Sequence, residues 1–204
     1  MRGASAEVAA LPSSQAAAQR APNAARMTAG YSLGSPDAPV AVVEFSDFGC
    51  PYCGQFAGTT FVSLRRHYIE QGLVRWRYVP VSFGFRGGEV MGAAAVCAGE
   101  QAGDEGFWMA HDVLYRHQAA LRGGDALDRA LSWLAEAGLD RDRLRACVTA
   151  PSTAAILEEN NRMAAGWRVR GTPTFLINGV PMSGALPLDF FRRVLDTVLD
   201  PSGL

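Results

Sequence analysis

From Pro39 to Phe45 the chain reads "PVAVVEF", an apolar and largely β-branched run of a length that suits one buried strand. A helical period follows at once. Phe56, Thr60, Leu64 and Tyr68 fall four apart, Pro51 can supply the first helical residue, and Gly72 is a plausible stop. The stretch "VRWRYVP" then sets Val74, Trp76 and Tyr78 against Arg75 and Arg77, the alternation of a half-buried strand. Between about Gly88 and Gly166 the pattern is wholly helical. "GGEVMGAAAVCAGEQ" and "GFWMAHDVLYRHQAAL" read as two helices, and "DALDRALSWLAEAGLDRDRLRACV" as two more, separated by Gly138 as C-cap and Asp140 as N-cap. A further segment opens at Pro151 or Ser152 and runs to about Trp167. Strand character returns at "TFLI", Thr174 to Ile177, ahead of a hairpin turn at Asn178–Gly179. Phe190, Phe191, Val194, Leu195 and Val198 mark one face of a last helix that stops before Pro201. The order predicts an α/β core interrupted by a helical insertion.

Composition narrows the class without naming a function. With 204 residues, 49% of them hydrophobic and 19% charged, the chain can bury a real core. A net charge of −1 gives no electrostatic reason to expect nucleic acid or an anionic membrane as partner. All 19 basic residues are arginine, a compositional bias and not a functional signal. No apolar run approaches the length of a membrane span. Residues 1–30 are rich in Ala, Ser, Gln and Pro and poor in large apolar side chains, so they are expected to form a flexible tether. They contain no apolar signal-peptide core, so no targeting segment is visible.

The candidate chemistry sits in "FGCPYCGQF", where Cys50 and Cys53 bracket Pro51 and Tyr52 directly after the first strand. A thiol at a helix N-terminus meets unsatisfied backbone N–H groups and the positive end of the macrodipole, and both favour the reactive thiolate. Cys50 takes that place. Cys53 lies one turn in, near enough to close a disulfide and too buried to attack first. A zinc site would need four ligands, but Cys97 and Cys147 are single and distant, and His67, His111 and His117 show no ligand spacing. His111, His117, Phe107 and Trp108 are expected to be structural residues of the insertion.

Three separated segments, "VVEFSDFGCPYCGQF", "CAGEQAGDEGFWMAHDVLYRHQ" and "VRGTPTFLINGVPMSGALP", resemble the DsbA-like thiol:disulfide oxidoreductases of bacterial cell envelopes over roughly residues 32–200. The resemblance implies a thioredoxin-like fold interrupted by an inserted all-helical domain. The boundaries are 1–30 for the tether, 31–86 and 167–204 for the thioredoxin-like core, and 87–166 for the insertion. It also implies dithiol–disulfide exchange on protein substrates, with Cys50 as nucleophile, Cys53 as resolving thiol and Pro173 as a cis-proline facing them. No cofactor and no metal are implied. The partners are protein thiols and disulfides, together with a membrane or soluble redox protein that regenerates the active-site couple.

A cis bond before Pro173 would also turn the Thr172 backbone outward, toward an extended substrate. Thr172, Pro173, Pro51 and Tyr52 thus form the expected substrate-binding set. Glu44, six residues before Cys50 in an apolar strand, is either a solvated edge residue or a buried acid resembling the family's proton acceptor for Cys53. Asp47 is expected to be a loop acid. Cys97 and Cys147 are either a structural disulfide or free core thiols, and the even cysteine count favours the bridge. Such a bridge would persist only in an oxidising compartment, which places the protein in the periplasm or elsewhere outside the cytoplasm. Oxidation of clients leads the possible directions. Reduction and isomerisation are the alternative directions, because Tyr52 stands where the family's strongest oxidants carry histidine, and a non-catalytic client- or metal-holding module is the rival of another class.

Overall fold

Residues 29–200 are described by a computed structural model, so the expected tether at 1–30 lies almost wholly outside the described residues. Five strands form one sheet: β1 (Tyr31–Leu33), β2 (Val40–Ser46), β3 (Val74–Pro80), β4 (Thr174–Ile177) and β5 (Val180–Ser183), in the order β1-β3-β2-β4-β5. The β-branched run of β2 therefore becomes the central strand, parallel to β3 and antiparallel to β4. A parallel pair needs a crossover that covers one sheet face, and residues 51–69 supply it. The hairpin at Asn178–Gly179 forms with both residues at positive φ (45° and 82°), as a tight primed turn requires.

The crossover is not the single helix that the four-residue spacing suggests. It consists of α1 (Pro51–Gly58), a break at Thr59 (φ −124°, ψ −77°), α2 (Thr60–Leu64) and a π-helical turn over Arg65–Ile69. Phe56, Thr60, Leu64 and Tyr68 are all buried across these breaks. The buried stripe thus survives, and periodicity alone had nothing to register. The insertion comprises α3 (Gly88–Arg116), a 3-10 turn (Gln118–Arg122), α4 (Ala126–Glu136), α5 (Arg141–Val148) and α6 (Pro151–Gly166), and α7 (Leu188–Leu199) closes the described chain. The two expected halves of α3 join through a kink at Ala102–Gly103, where Gly103 takes φ 63°. Asp140 caps α5 as expected, its carboxylate accepting from the Arg143 amide at 2.9 Å.

Alternation along β2 separates two packing layers. Val40 and Val42 join Phe56, Phe61, Trp76, Phe175 and Phe191 in the main core, which continues without a break into Leu114, Leu121 and Leu131 of the insertion. Val43 and Phe45 face the other way, against Val79, Leu176 and Ala164 of α6. Cys97 on α3 and Cys147 on α5 are joined by a disulfide across 50 residues of sequence, so of the two readings of these cysteines the bridge is the one present. Thr153 at the start of α6 lies against both sulfurs and donates to the Cys147 carbonyl at 2.7 Å.

Candidate active site

The site forms where β2 ends and α1 begins. Cys50 is the N-cap residue, extended at φ −71° and ψ 123°, and Pro51 takes the first helical position, where its missing N–H costs nothing. No side chain caps the helix. The amides of Tyr52 and Cys53 in the first turn favour the Cys50 thiolate. Both active-site cysteines are free thiols in this structure.

Their environments separate them. The Cys50 pKa is lowered to about 6, first by the Cys53 thiol donating to its sulfur, then by Thr172 and the two amides, against the opposing effect of burial. Cys53 moves the other way, pushed far up by burial and by its place beside Cys50. One thiol gives up its proton readily and the other keeps it. That division is what a nucleophile and a resolving group need.

The loop before β4 faces this pair. The Thr172–Pro173 bond is cis, and the Thr172 carbonyl accepts from Cys50 Sγ at 3.4 Å. In this thiol state the carbonyl is therefore engaged by Cys50. The Thr172 hydroxyl is buried without a partner at hydrogen-bonding geometry, yet it lies close enough to favour thiolate at both cysteines. Tyr52 is 64% exposed beside the thiols, and Phe83 and Phe85 add exposed rings from the loop after β3.

Glu44 lies on central β2 and is 2% exposed, which rules out the solvated edge reading. The Trp76 indole donates to its Oε2 at 2.9 Å. Burial raises the Glu44 pKa to about 7 while Trp76 and Ser46 hold it back, so the carboxyl is poised to take or give a proton at neutral pH. Asp47 is a loop residue as expected but is fully buried. Its carboxylate accepts from the Gly49 and Phe83 amides at 2.8 and 2.7 Å, fixing the loop that carries Cys50.

Several residues of the site gave no signal in the sequence. Gln118, just after α3, is buried and donates from Nε2 to the carbonyls of Phe48 (2.7 Å) and Cys50 (2.8 Å), tying the insertion to the active-site loop. Its side chain needs Gly54: a β-carbon there would sit 2.5 Å from Gln118 Oε1. Ser46, Tyr78 and the half-buried Tyr115 form a polar string, with the Tyr115 hydroxyl 3.3 Å from Ser46 Oγ and 2.7 Å from the Tyr78 hydroxyl. Of the histidines, His111 is buried, paired with Asp112 at 2.9 Å and enclosed by aromatic rings, and His117 stacks on Trp133, so both are structural. Among the described residues no cluster of His, Cys, Asp and Glu could hold a metal, and no helix is long and apolar enough to cross a membrane.

Comparison with known proteins points to the same fold. The thioredoxin family model, described as "Thioredoxin", matches residues 27–197. Disulfide bond formation protein D of Bacillus subtilis is 25% identical over 169 residues, covering 82% of this chain and 76% of that protein. Crystalline oxidised BdbD of Bacillus subtilis superimposes with a TM-score of 0.75 at 24% identity, covering 83% of this chain and 92% of the other. A Na(+)/H(+) antiporter, NhaA 1 of Salinispora arenicola, is 37% identical over 152 residues, which is 72% of this chain. The chain spans about a fifth of that antiporter's length (21%).

Proposed function

Because the chain belongs to the thioredoxin family, as a DsbA-like thiol:disulfide oxidoreductase, we propose that it forms disulfides in protein clients outside the cytoplasm. The observation that carries this reading is the opposed tuning of Cys50 and Cys53. In the oxidised protein a client thiolate attacks Cys50 Sγ, the Cys50–Cys53 bond breaks, and Cys53 leaves and takes up a proton. A second client thiolate then attacks the client sulfur of the mixed disulfide. Cys50 departs as thiolate, a good leaving group because its pKa is low. The client loses two electrons and the protein gains them. A redox partner, membrane-bound or soluble, takes them away again when it restores the Cys50–Cys53 disulfide.

In this account Glu44 supplies and receives the Cys53 proton, and Thr172, Pro173, Pro51 and Tyr52 face the client chain. The Cys97–Cys147 bridge supports an oxidising compartment, as does the likeness to a disulfide bond formation protein. The test is direction. Oxidised protein mixed with stoichiometric reduced, unfolded ribonuclease A should oxidise it within minutes, while reduced protein should be slow to precipitate insulin. Rapid insulin reduction with no oxidation of ribonuclease would mark a reductase.

A further inference from the structure

Gln118 opens the 3-10 turn that follows α3, and it is buried against the loop that carries Cys50. A primary amide nitrogen carries two N–H bonds. Here the Phe48 carbonyl accepts from it at 2.7 Å and the Cys50 carbonyl at 2.8 Å, so the insertion grips the backbone on both sides of the nucleophile. The Cys50 carbonyl also accepts from the Gly54 amide at 3.1 Å, which closes the first turn of α1. The N–H groups of the same loop are held separately. Cys50 donates to the Asp47 carbonyl at 3.0 Å, and Gly49 to the Asp47 carboxylate at 2.8 Å. Two glycines make room for the turn that brings Gln118 in. Gly54 lies inside α1, where alanine would form helix better, but an alanine β-carbon would sit 2.5 Å from Gln118 Oε1. On the other side of the turn, a β-carbon on Gly87 would collide with the Leu121 carbonyl.

Building on the exchange chemistry proposed above, we infer that Gln118 is a positioning residue for the Cys50 nucleophile: reaching in from the insertion, it fixes the two carbonyls that flank Cys50 and so holds the sulfur at the N-terminus of α1. It acts through the backbone. The favourable field at a helix N-terminus falls off within the first turn, so a small displacement of Cys50 weakens the hold on its thiolate. Without the Gln118 amide the buried Phe48 carbonyl loses this donor, and a buried carbonyl left unpaired is costly enough to make the loop rearrange. The Cys50 carbonyl keeps the Gly54 amide, so α1 stays formed while the loop before it shifts. The insertion thereby sets the reactivity of a cysteine that belongs to the thioredoxin-like core.

The test has two readouts: the pH profile of alkylation of the reduced protein by iodoacetamide, and the equilibrium of the active-site couple with glutathione at pH 7. Iodoacetamide reads the Cys50 thiolate, so the wild-type profile should have its midpoint at about 6. Gln118→Met keeps the side-chain length and removes both N–H donors. Its midpoint should rise to about 7, and the glutathione equilibrium should shift about fivefold toward the protein disulfide, since less thiolate then stabilises the reduced form. Gly54→Ala pushes the amide away and should move both readouts in the same direction. The double variant should move them no further than Gln118→Met alone, because the two substitutions break one contact. A merely structural tie would lower the melting temperature and leave the midpoint and the glutathione equilibrium in place. That result, or shifts that add in the double variant, would overturn the inference. If Gln118→Met does not fold, Gly54→Ala decides by the same two readouts. Wild-type protein that forms no Cys50–Cys53 disulfide with oxidised glutathione would refute the exchange reading itself, and the role of Gln118 with it.

Discussion

Cys50→Ser should abolish exchange, leaving client oxidation at the uncatalysed rate, whereas Cys53→Ser should accumulate mixed disulfides with clients at Cys50. The asymmetry follows from the two sulfurs. Both are buried, but Cys50 sits at the helix N-terminus with its pKa lowered, and Cys53 keeps its proton. Serine at position 53 keeps a hydroxyl that can still donate to Cys50, so the nucleophile survives while nothing resolves its adducts. Cys53→Ala should differ. It removes the largest influence that lowers the Cys50 pKa, so Cys50 should be alkylated more slowly at neutral pH than in Cys53→Ser. Mass spectrometry of acid-trapped protein after incubation with a reduced client measures the adducts. Equal residual activity in Cys50→Ser and Cys53→Ser would contradict the assigned roles.

Breaking the Cys97–Cys147 bridge should cost about 4 kcal/mol, the loop-closure entropy of a 50-residue loop released to the unfolded chain. For a domain of this size that is a fall of roughly 8–16 °C in melting temperature. The bridge pins α3 to α5 beside Thr153 of α6, away from the active-site thiols, so exchange by the folded protein should be retained in the Cys97→Ala, Cys147→Ala double variant. Calorimetry and client oxidation at 20 °C on the same preparation separate the two effects. A melting temperature within 2 °C of wild type would show that the unfolded chain is already held compact in this region.

Most of the architecture could be read from local pattern because the decisive signals were local. The strand before Cys50, the all-helical stretch after Gly88 and the Asn178–Gly179 turn each declare themselves within a few residues. β1 did not, since its three residues are too few to set a period and it is held by pairing with β3. The pair Cys50 and Cys53 was legible for the same reason of nearness. Gln118 and Tyr115 were not. Each reaches the site across about 70 residues of sequence, and nothing near either of them shows that it meets Cys50 or Ser46. Asp47 looked like an ordinary loop acid because its partners are backbone amides, which leave no trace in side-chain composition. Glu44 was visible as an acid in an apolar strand. Its burial was decided only when β2 took the centre of the sheet.

The measurement closest to the central claim compares thermal melts of the reduced and oxidised protein between pH 5 and pH 8. Only the reduced form carries the Cys50 thiolate. Its folded pKa of about 6 lies below that of an ordinary thiol, so the stabilisation is fully present above the ordinary thiol range and is lost as pH falls through about 6. Whatever stabilises the reduced fold makes the disulfide a stronger oxidant. The reduced protein should therefore melt higher than the oxidised protein at pH 8, with the gap closing toward pH 5. An oxidised form that melts higher at pH 8 would contradict the account and identify a reductant.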